Sequence, residues 1–326
     1  MTGCSAEAAD DATGVSSPLT QERFSFSPGG EGKNGTPSDV NLTNAYWLAF
    51  ASFVFYQDQG SETDVKKALH HVVDLDPIVF HWFRDDETSA TAFYLRTSKV
   101  AILAFKGTNF ADLHQYRILG DVGLETTEQG KTYSGFLSAF RRLWKEPGEA
   151  GAGDQSDIRA ALLADQGRGR VPLYITGHSL GGAFATLASA TMLHDPAFAR
   201  VTGPPFAATY TFGAPRVGDA AFSADLAIEV QVQQAAFFRV VLDKDPVPST
   251  LPANVLSHPG RKRSEGAAPA TTSAATHEED ELVWLDPGGV AFFGDDGQDH
   301  LASRWINPVP SISDHLGYPA SLHRYQ

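Results

Sequence analysis

The run Gly177-His178-Ser179-Leu180-Gly181 places a serine between two glycines. A serine hydroxyl is a weak nucleophile until a base removes its proton, and that base needs a carboxylate to orient it. A G-x-S-x-G sequence between a strand and a helix is typical of a nucleophile elbow, a sharp turn that exposes the serine hydroxyl. These residue types therefore indicate acyl transfer through Ser179, provided that the flanking residues form the required strand and helix.

Both flanks of the serine have the required patterns. Residues 171–175 form a short apolar run with β-branched and aromatic side chains, which predicts a strand buried on both faces. Residues 183–192 carry apolar side chains at helical spacing and many small residues, which predicts a helix packed closely against a sheet. The backbone N–H of Leu180 would then lie at a helix N-terminus, where it can stabilise a negatively charged oxygen.

A hydrolase of this kind also needs a carboxylate and a histidine, in that order, after the serine. Acids in loops that follow predicted strands are Asp219, Asp243 and Asp245. Histidines beyond them are His258, His277, His300, His315 and His323. We expect His277 and His323 to be solvated, and we expect His178 to pack within the elbow. The residues alone do not choose among the remaining candidates.

Strand and helix patterns alternate along most of the chain, as in α/β folds. Further strands are predicted at residues 78–82, 92–96, 100–105, 208–212 and 237–242. Helices are predicted near residues 42–56, which should be largely buried, and at 64–70, 134–144 and 222–230. Residues 282–285 and 290–293 flank a Pro-Gly-Gly turn and predict a hairpin.

Composition limits the class of protein. The chain has 326 residues, 42% of them hydrophobic, which is enough for one large α/β core. Its formal net charge of -14 repels nucleic acid and strongly anionic bilayers, so neither is expected as a partner. Cys4 is the single cysteine, so neither an intrachain disulfide nor a cysteine-based metal cluster can form. No apolar stretch approaches the ~20 residues that a transmembrane helix needs.

The chain divides into a loosely attached or disordered arm at residues 1–38 and a single catalytic domain at residues 39–326. Residues 259–280 are polar and predict a surface insertion. Residues 2–5 have the sequence TGCS, which is similar to the end of a bacterial lipoprotein signal. We therefore expect a protein that is secreted or lipid-anchored outside the cytoplasm.

Six stretches resemble the class 3 lipases, the fungal-lipase-like branch of the α/β-hydrolases. They are AFKGTN at 104–109, YSGF at 133–136, TGHSLGGA at 176–183, YTFGAPRVGD at 210–219, DPVP at 245–248 and SDHLGY at 313–318. The resemblance implies an α/β-hydrolase fold with a mostly parallel sheet. It also implies Ser179 as nucleophile, Asp245 as acid and His315 as base, with Thr108 joining Leu180 in the oxyanion hole.

Two departures from the family pattern bear on the function. Lys106 stands where the family usually has arginine, and lysine cannot reproduce a planar bidentate contact. Residues 110–119 align with the family's lid but lack its usual tryptophan, and His114, Gln115 and Arg117 make this segment polar. A polar lid is better suited to soluble or short-chain esters than to substrates in an oil droplet.

The sequence therefore predicts a serine carboxylester hydrolase that needs no metal or organic cofactor. By resemblance its substrates are triacylglycerols or related acylglycerols, including those at an oil–water interface. A feruloyl, aryl or short-chain esterase on the same fold is the nearest alternative. A non-catalytic lipid-binding relative is the alternative from another class, and a protease is the least favoured because the residue order and the lid favour esters.

Overall fold

The computed structural model describes residues 42–56, 60–70, 77–108, 123–145, 157–166, 168, 171–199, 204–242, 245, 247–249, 251, 255–258, 261–262, 283–284 and 292–293. The predicted arm at 1–38 with Cys4, the predicted lid at 110–119, most of the predicted insertion at 259–280 and the C-terminal segment with His315 lie outside the described residues.

The described residues form two helices, five strands and two more helices, after which strands and helices alternate from Leu173 to Leu242. The helices are α1 Leu42–Phe53, α2 Glu62–His70, α3 Ser134–Trp144, α4 Ile158–Gln166, α5 Leu180–His194 and α6 Ala220–Val232. The strands are β1 Val79–Arg84, β2 Thr91–Arg96, β3 Ala101–Phe105, β4 Leu124–Thr127, β5 Gly130–Tyr133, β6 Leu173–His178, β7 Ala208–Phe212, β8 Ala236–Leu242, β9 Arg261–Lys262, β10 Val283–Trp284 and β11 Phe292–Phe293. Short 3-10 helices cover Val54–Tyr56, Pro196–Phe198 and Val247–Ser249.

One sheet organises the fold. Its order is β1-β2-β3-β6-β7-β8-β10-β9, with β11 also paired to β8. The central strands β3, β6, β7 and β8 are parallel, whereas β1, β2, β9 and β10 pair antiparallel to their neighbours. This arrangement confirms the predicted α/β fold with a mostly parallel central sheet.

Strand register brings the carboxyl ends of the parallel strands to one edge. Phe105 pairs with Gly177, Gly177 with Thr211, and Thr211 with Arg239. Because these residues are level with one another, the loops that follow the four strands emerge side by side. This edge is where open α/β sheets bind their ligands.

Both faces of the sheet are covered, as the apolar strands require. On β3, Leu103 and Phe105 belong to the core formed with α3, α4, α5 and α6. The alternate residues Ile102 and Ala104 belong to the core formed with α1. All six residues of β6 are buried, which confirms the prediction for the strand before the serine.

Some predicted elements differ from the structure. The separate hairpin of β4 and β5 was not predicted, because its residues are polar and only half buried. The predicted hairpin at 282–293 is wrong for the residues described there, since β10 and β11 each pair with β8 rather than with each other. The insertion predicted at 259–280 contains the short strand β9. None of the helices within the described ranges has the length and apolar character of a bilayer-spanning segment.

Candidate active site

Ser179 lies at the junction of β6 and α5 in a strained backbone conformation, with φ 57° and ψ −128°. Its N–H donates to the carbonyl of Phe212 at 2.9 Å, and its own carbonyl accepts from the N–H of Gly182 at 2.9 Å. A non-glycine residue in this region costs about 1–3 kcal/mol and persists only where the surroundings enforce it. The strand, the helix and these two hydrogen bonds enforce it here, so the predicted elbow is present.

The turn is too tight for side chains at the flanking glycines. A Cβ atom at Gly177 would lie 2.1 Å from the carbonyl oxygen of Gly181. A Cβ atom at Gly181 would lie 2.2 Å from the carbonyl oxygen of Phe105. The two glycines therefore let the helix start directly against the ends of β6 and β3, with the serine at the apex.

We predict that Ser179→Gly raises the free energy of unfolding by about 1 kcal/mol relative to Ser179→Ala. Glycine removes the strain at φ 57°, and part of that gain is offset because glycine loses more backbone entropy on folding. Both variants lack the hydroxyl, so their difference isolates the backbone term. Urea denaturation of the two proteins measures the difference, and a free energy of unfolding for Ser179→Gly that is no higher than that of Ser179→Ala would contradict the prediction.

The loop after β3 lies directly beside Ser179. A Cβ atom built on Gly107 would be 3.2 Å from the Cβ of Ser179, and Thr108 next to it is buried. Leu180 is the first residue of α5 and is also buried. The loop that carries Thr108 and the N-terminus that carries Leu180 thus approach the serine from two sides, as an oxyanion hole requires.

Lys106 begins this loop at the end of β3. Its backbone N–H donates to the carbonyl of Thr91 at 2.9 Å, which continues the ladder to β2. Its Nζ lies 3.7 Å from a Cβ atom built on Gly60. The loop therefore begins from a backbone position fixed by the sheet.

Asp245 lies beyond the carboxyl end of β8 and is only 5% exposed. Its Oδ1 accepts from the N–H of Val247 at 2.9 Å. Strand β8 is two positions from β6 in the sheet, a separation of roughly 10 Å at the usual strand spacing. An imidazole between the two strand ends could contact both a serine hydroxyl and this carboxylate.

One buried arginine and one histidine contact the segment that follows Asp245. Arg216, in the loop after β7, donates from Nη1 to the carbonyl of Leu251 at 2.5 Å. The Nε2 of His258 hydrogen-bonds the carbonyl of Pro248 at 2.9 Å. Because both contacts are to backbone carbonyls, they fix the path of the chain on the C-terminal side of Asp245.

Two other candidates from the sequence have different roles. Asp219 is the N-cap of α6, and its Oδ1 accepts from the N–H of Phe222 at 2.9 Å. Burial lowers the pKa of His258 well below its usual value, and the positive charges of Arg239 and Arg216 lower it further. A general base must carry a positive charge during the reaction, so this environment makes His258 a poor base.

Of the five predicted site residues, the structure brings Ser179, Leu180 and Thr108 together and puts Asp245 at the same edge of the sheet. His315 lies outside the described residues, as do the candidates Asp243, His277, His300 and His323. Within the described residues, no group of three or more His, Cys, Asp or Glu side chains could hold a metal ion.

One polar contact at the elbow was not predicted. Tyr56 lies in the segment 42–56, for which only a largely buried helix was predicted, yet its hydroxyl lies 3.0 Å from Nδ1 of His178, next to the serine. A tyrosine at the end of an otherwise apolar helix is the signal that could have found it, because a buried phenol usually has a hydrogen-bond partner. The expected packing of His178 within the elbow is confirmed, since its ring lies 4.2 Å from that of Phe53.

Comparisons with solved structures agree with this fold. The lipase of Rhizomucor miehei in complex with its propeptide superposes with a TM-score of 0.55 over 85% of this chain and 79% of the lipase, at 18% identity. A fungal lipase–inhibitor complex, solved in a study of interfacial activation, gives 0.51 over 67% of this chain and 77% of that lipase, at 20% identity. At such identities the likeness supports the α/β-hydrolase fold alone.

Sequence comparisons find lipases over part of the chain. The secreted mono- and diacylglycerol lipase 1 of Fusarium solani is 38% identical over 120 residues. That match covers 37% of this chain and 29% of the relative, so the chain spans less than a third of the relative's length. The sequence model of the class 3 lipases matches residues 102–255, a range that contains the elbow, the Thr108 loop and Asp245. The chain is thus similar to the class 3 lipases over residues 102–255.

Proposed function

We propose that the protein is a serine carboxylester hydrolase that cleaves acylglycerols through an acyl-enzyme. The observation that carries the proposal is the strained backbone of Ser179 at a strand-to-helix junction, with the Thr108 loop packed against it. Strained backbone conformations cluster at functional sites, and here the strained turn places the serine hydroxyl at the ligand-binding edge of the sheet. The family match over residues 102–255 supports the same activity.

In the first half-reaction, His315 takes the proton of Ser179 while the serine oxygen attacks the ester carbonyl. The carbonyl electrons move to the oxygen, and the N–H groups of Leu180 and Thr108, with the Thr108 hydroxyl, stabilise the negative charge. The bond to the alcohol then breaks, and the imidazolium of His315 gives its proton to the departing oxygen. Asp245 orients the imidazole and stabilises its positive charge.

In the second half-reaction, water replaces the alcohol. His315 takes a proton from the water as the water oxygen attacks the acyl carbonyl, and the same donors stabilise the second oxyanion. The bond between the acyl group and Ser179 breaks, and the imidazolium returns a proton to the serine. The fatty acid leaves and the enzyme is restored, so the cycle uses only the chain's own groups and water.

The assignment of Asp245 and His315 is supported by what the competing residues do. The carboxylate of Asp219 caps α6, and His258 lies in an environment that disfavours a positive charge on its ring. Asp245 is buried beyond the end of β8, on a segment fixed by backbone contacts. His315 lies in SDHLGY, which resembles the stretch with the catalytic histidine in class 3 lipases.

The substrate proposal is an acylglycerol at an oil–water interface. The Fusarium solani relative is named as a mono- and diacylglycerol lipase, which supports partial glycerides beside triacylglycerols. An aryl or short-chain esterase is the second candidate, because His114, Gln115 and Arg117 make the segment aligned with the lid polar. The relative is also named as secreted, which supports action outside the cytoplasm, either free or anchored through a lipid on Cys4.

We predict that hydrolysis of mono-, di- and triacylglycerols rises steeply once the substrate exceeds its solubility and forms an emulsion. A lid that exposes apolar surface at an interface gives this behaviour. The measurement is a set of rate curves for acylglycerols, a feruloyl ester and a soluble p-nitrophenyl ester across the solubility limit.

The other outcomes separate the candidates. Preference for the feruloyl ester with no change at emulsification would select an aryl esterase. Lipid binding without hydrolysis of any ester, and without covalent labelling by a fluorophosphonate, would select a non-catalytic lipid-binding protein. The fluorophosphonate reacts only with an activated serine, so the labelled peptide would also identify the nucleophile.

A further inference from the structure

The structure assigns a positioning role to Tyr56: through its hydroxyl it holds the Gly107–Thr108 loop and the ring of His178 in the geometry that the reaction needs. This inference rests on the proposed function and adds to it a residue that does not touch the substrate. Three observations carry it, namely the path of α1 along β6, the contacts of the Tyr56 hydroxyl, and the closeness of Gly107 to Ser179.

Helix α1 and the 3-10 turn after it run along β6 toward the elbow. Alternate residues of β6 make polar contacts with this segment in the same order along both elements. The contacts are Asn44 Nδ2 to Tyr174 Oη at 3.4 Å, Thr176 Oγ1 to the Leu48 carbonyl at 3.1 Å, and Tyr56 Oη with His178 Nδ1 at 3.0 Å. The side chains of a strand alternate between its faces, so these three β6 residues share the face that α1 covers. The helix thereby brings Tyr56 to the elbow.

The Tyr56 hydroxyl contacts both sides of the site. It shares a hydrogen bond with His178, the residue before the nucleophile, and it is packed against Gly107, where an added Cβ atom would lie 2.0 Å from its oxygen. Burial raises the pKa of Tyr56 above its ordinary value, so the phenol keeps its proton at every pH at which an esterase works. One neutral hydroxyl thus joins the loop after β3 to the end of β6.

Gly107 has no room to move toward this hydroxyl or away from it without affecting the serine. A Cβ atom at Gly107 would lie 2.0 Å from Tyr56 Oη, 2.5 Å from the carbonyl oxygen of His178 and 3.2 Å from the Cβ of Ser179. The backbone of this loop is therefore packed between the phenol and the elbow. Since Thr108 is the next residue, a shift of the Gly107 peptide would move the Thr108 donors relative to the oxyanion.

The test is Tyr56→Phe, for which we expect kcat on a soluble p-nitrophenyl ester to fall about 10-fold with KM nearly unchanged. Direct loss of an oxyanion donor costs about 10²- to 10³-fold, and displacement of a donor that remains present should cost less. The rate of fluorophosphonate labelling should fall by the same factor, because that reaction also places negative charge in the oxyanion hole. A residue that only stabilised the fold would lower the melting temperature and leave both rates unchanged.

The matched control is Tyr94→Phe. Tyr94 is also buried, and its hydroxyl donates to Asp165 at 2.6 Å, away from the elbow. We expect this variant to lose stability while keeping the wild-type kcat and labelling rate. Equal losses of kcat in the two variants would overturn the inference, because the effect would then follow from any buried hydroxyl.

A second pair of variants at His178 tests the other half of the contact. The side-chain amide of His178→Asn can donate or accept near the position of Nδ1, so this variant should keep most of the activity, whereas His178→Leu should lose about 10-fold. The double variant Tyr56→Phe with His178→Leu should lose no more than either single variant, because both remove one shared contact. Additive losses would contradict the inference. An inactive, unlabelled wild-type protein would instead overturn the proposed function, which keeps the two failures distinct.

Discussion

Ser179→Ala should lower kcat for ester hydrolysis by about 10⁴- to 10⁶-fold while the protein stays folded. The hydroxyl is the only group that the substitution removes, and losses of this size are typical when the nucleophile of a serine hydrolase is replaced. Alanine has the same Cβ as serine, so the strained turn and its hydrogen bonds to Phe212 and Gly182 remain. The measurement is the initial rate on a soluble p-nitrophenyl ester, with the melting temperature as a check of folding.

Ser189→Ala is the matched control for this prediction. Ser189 lies on the same helix as the elbow, is fully buried, and shares a hydrogen bond of 2.7 Å with Thr209. Loss of that contact should cost about 1 kcal/mol of stability and leave kcat unchanged. Activity near the wild-type level in purified Ser179→Ala would refute Ser179 as the nucleophile, and a loss of activity in Ser189→Ala would point to a defect of the helix rather than of the chemistry.

The elbow could be predicted from the sequence because every feature that defines it is local. A short apolar strand, a glycine on each side of the serine and a helix rich in small residues follow one another within about twenty residues. The structure confirms each of them, including the burial of all residues of β6. The close approach of Gly181 to the carbonyl of Phe105 is a long-range feature that the glycine itself signals.

Other parts of the site depend on contacts that no local pattern reveals. The hydrogen bond between Tyr56 and His178 joins residues 122 positions apart, and a helix of mixed apolar side chains gives no sign of which strand it will cover. Asp219 and Asp245 both follow strands, and the sequence alone could not separate them without the family resemblance. Yet Asp219 precedes a helical run by one residue, a position that favours a capping aspartate, so this role could have been predicted.

The peripheral strands outside the parallel centre of the main sheet were harder to predict for a physical reason. Central strands are buried on both faces and carry continuous apolar runs, whereas β4 and β5 are polar and half exposed. The hairpin predicted at 282–293 is wrong for a related reason. The Pro-Gly-Gly turn predicted that β10 and β11 pair with each other, whereas each of them pairs with β8. Turn residues indicate a change of direction, but the partner of each strand is set by distant residues.

The second large effect is expected for Asp245→Asn, which should lower kcat by about 10⁴-fold. An asparagine keeps the size of the side chain, and its carbonyl oxygen can still accept from the N–H of Val247, so the local turn should survive. It loses the negative charge that stabilises the imidazolium of His315, and its amide can donate a hydrogen bond that favours the wrong tautomer of the ring. The measurement is kcat on the soluble ester, together with the rate of fluorophosphonate labelling of Ser179.

The matched control is the same substitution at Asp219. An asparagine caps a helix about as well as an aspartate, so Asp219→Asn should keep both the hydrogen bond to Phe222 and the wild-type rate. A large loss at position 245 with none at 219 would separate a catalytic carboxylate from a structural one at the same edge of the sheet. If Asp245→Asn instead kept its activity, the acid of the triad would have to be Asp243 or another residue. The buried carboxylate of Asp245 would then have a structural role, such as its contact with the N–H of Val247.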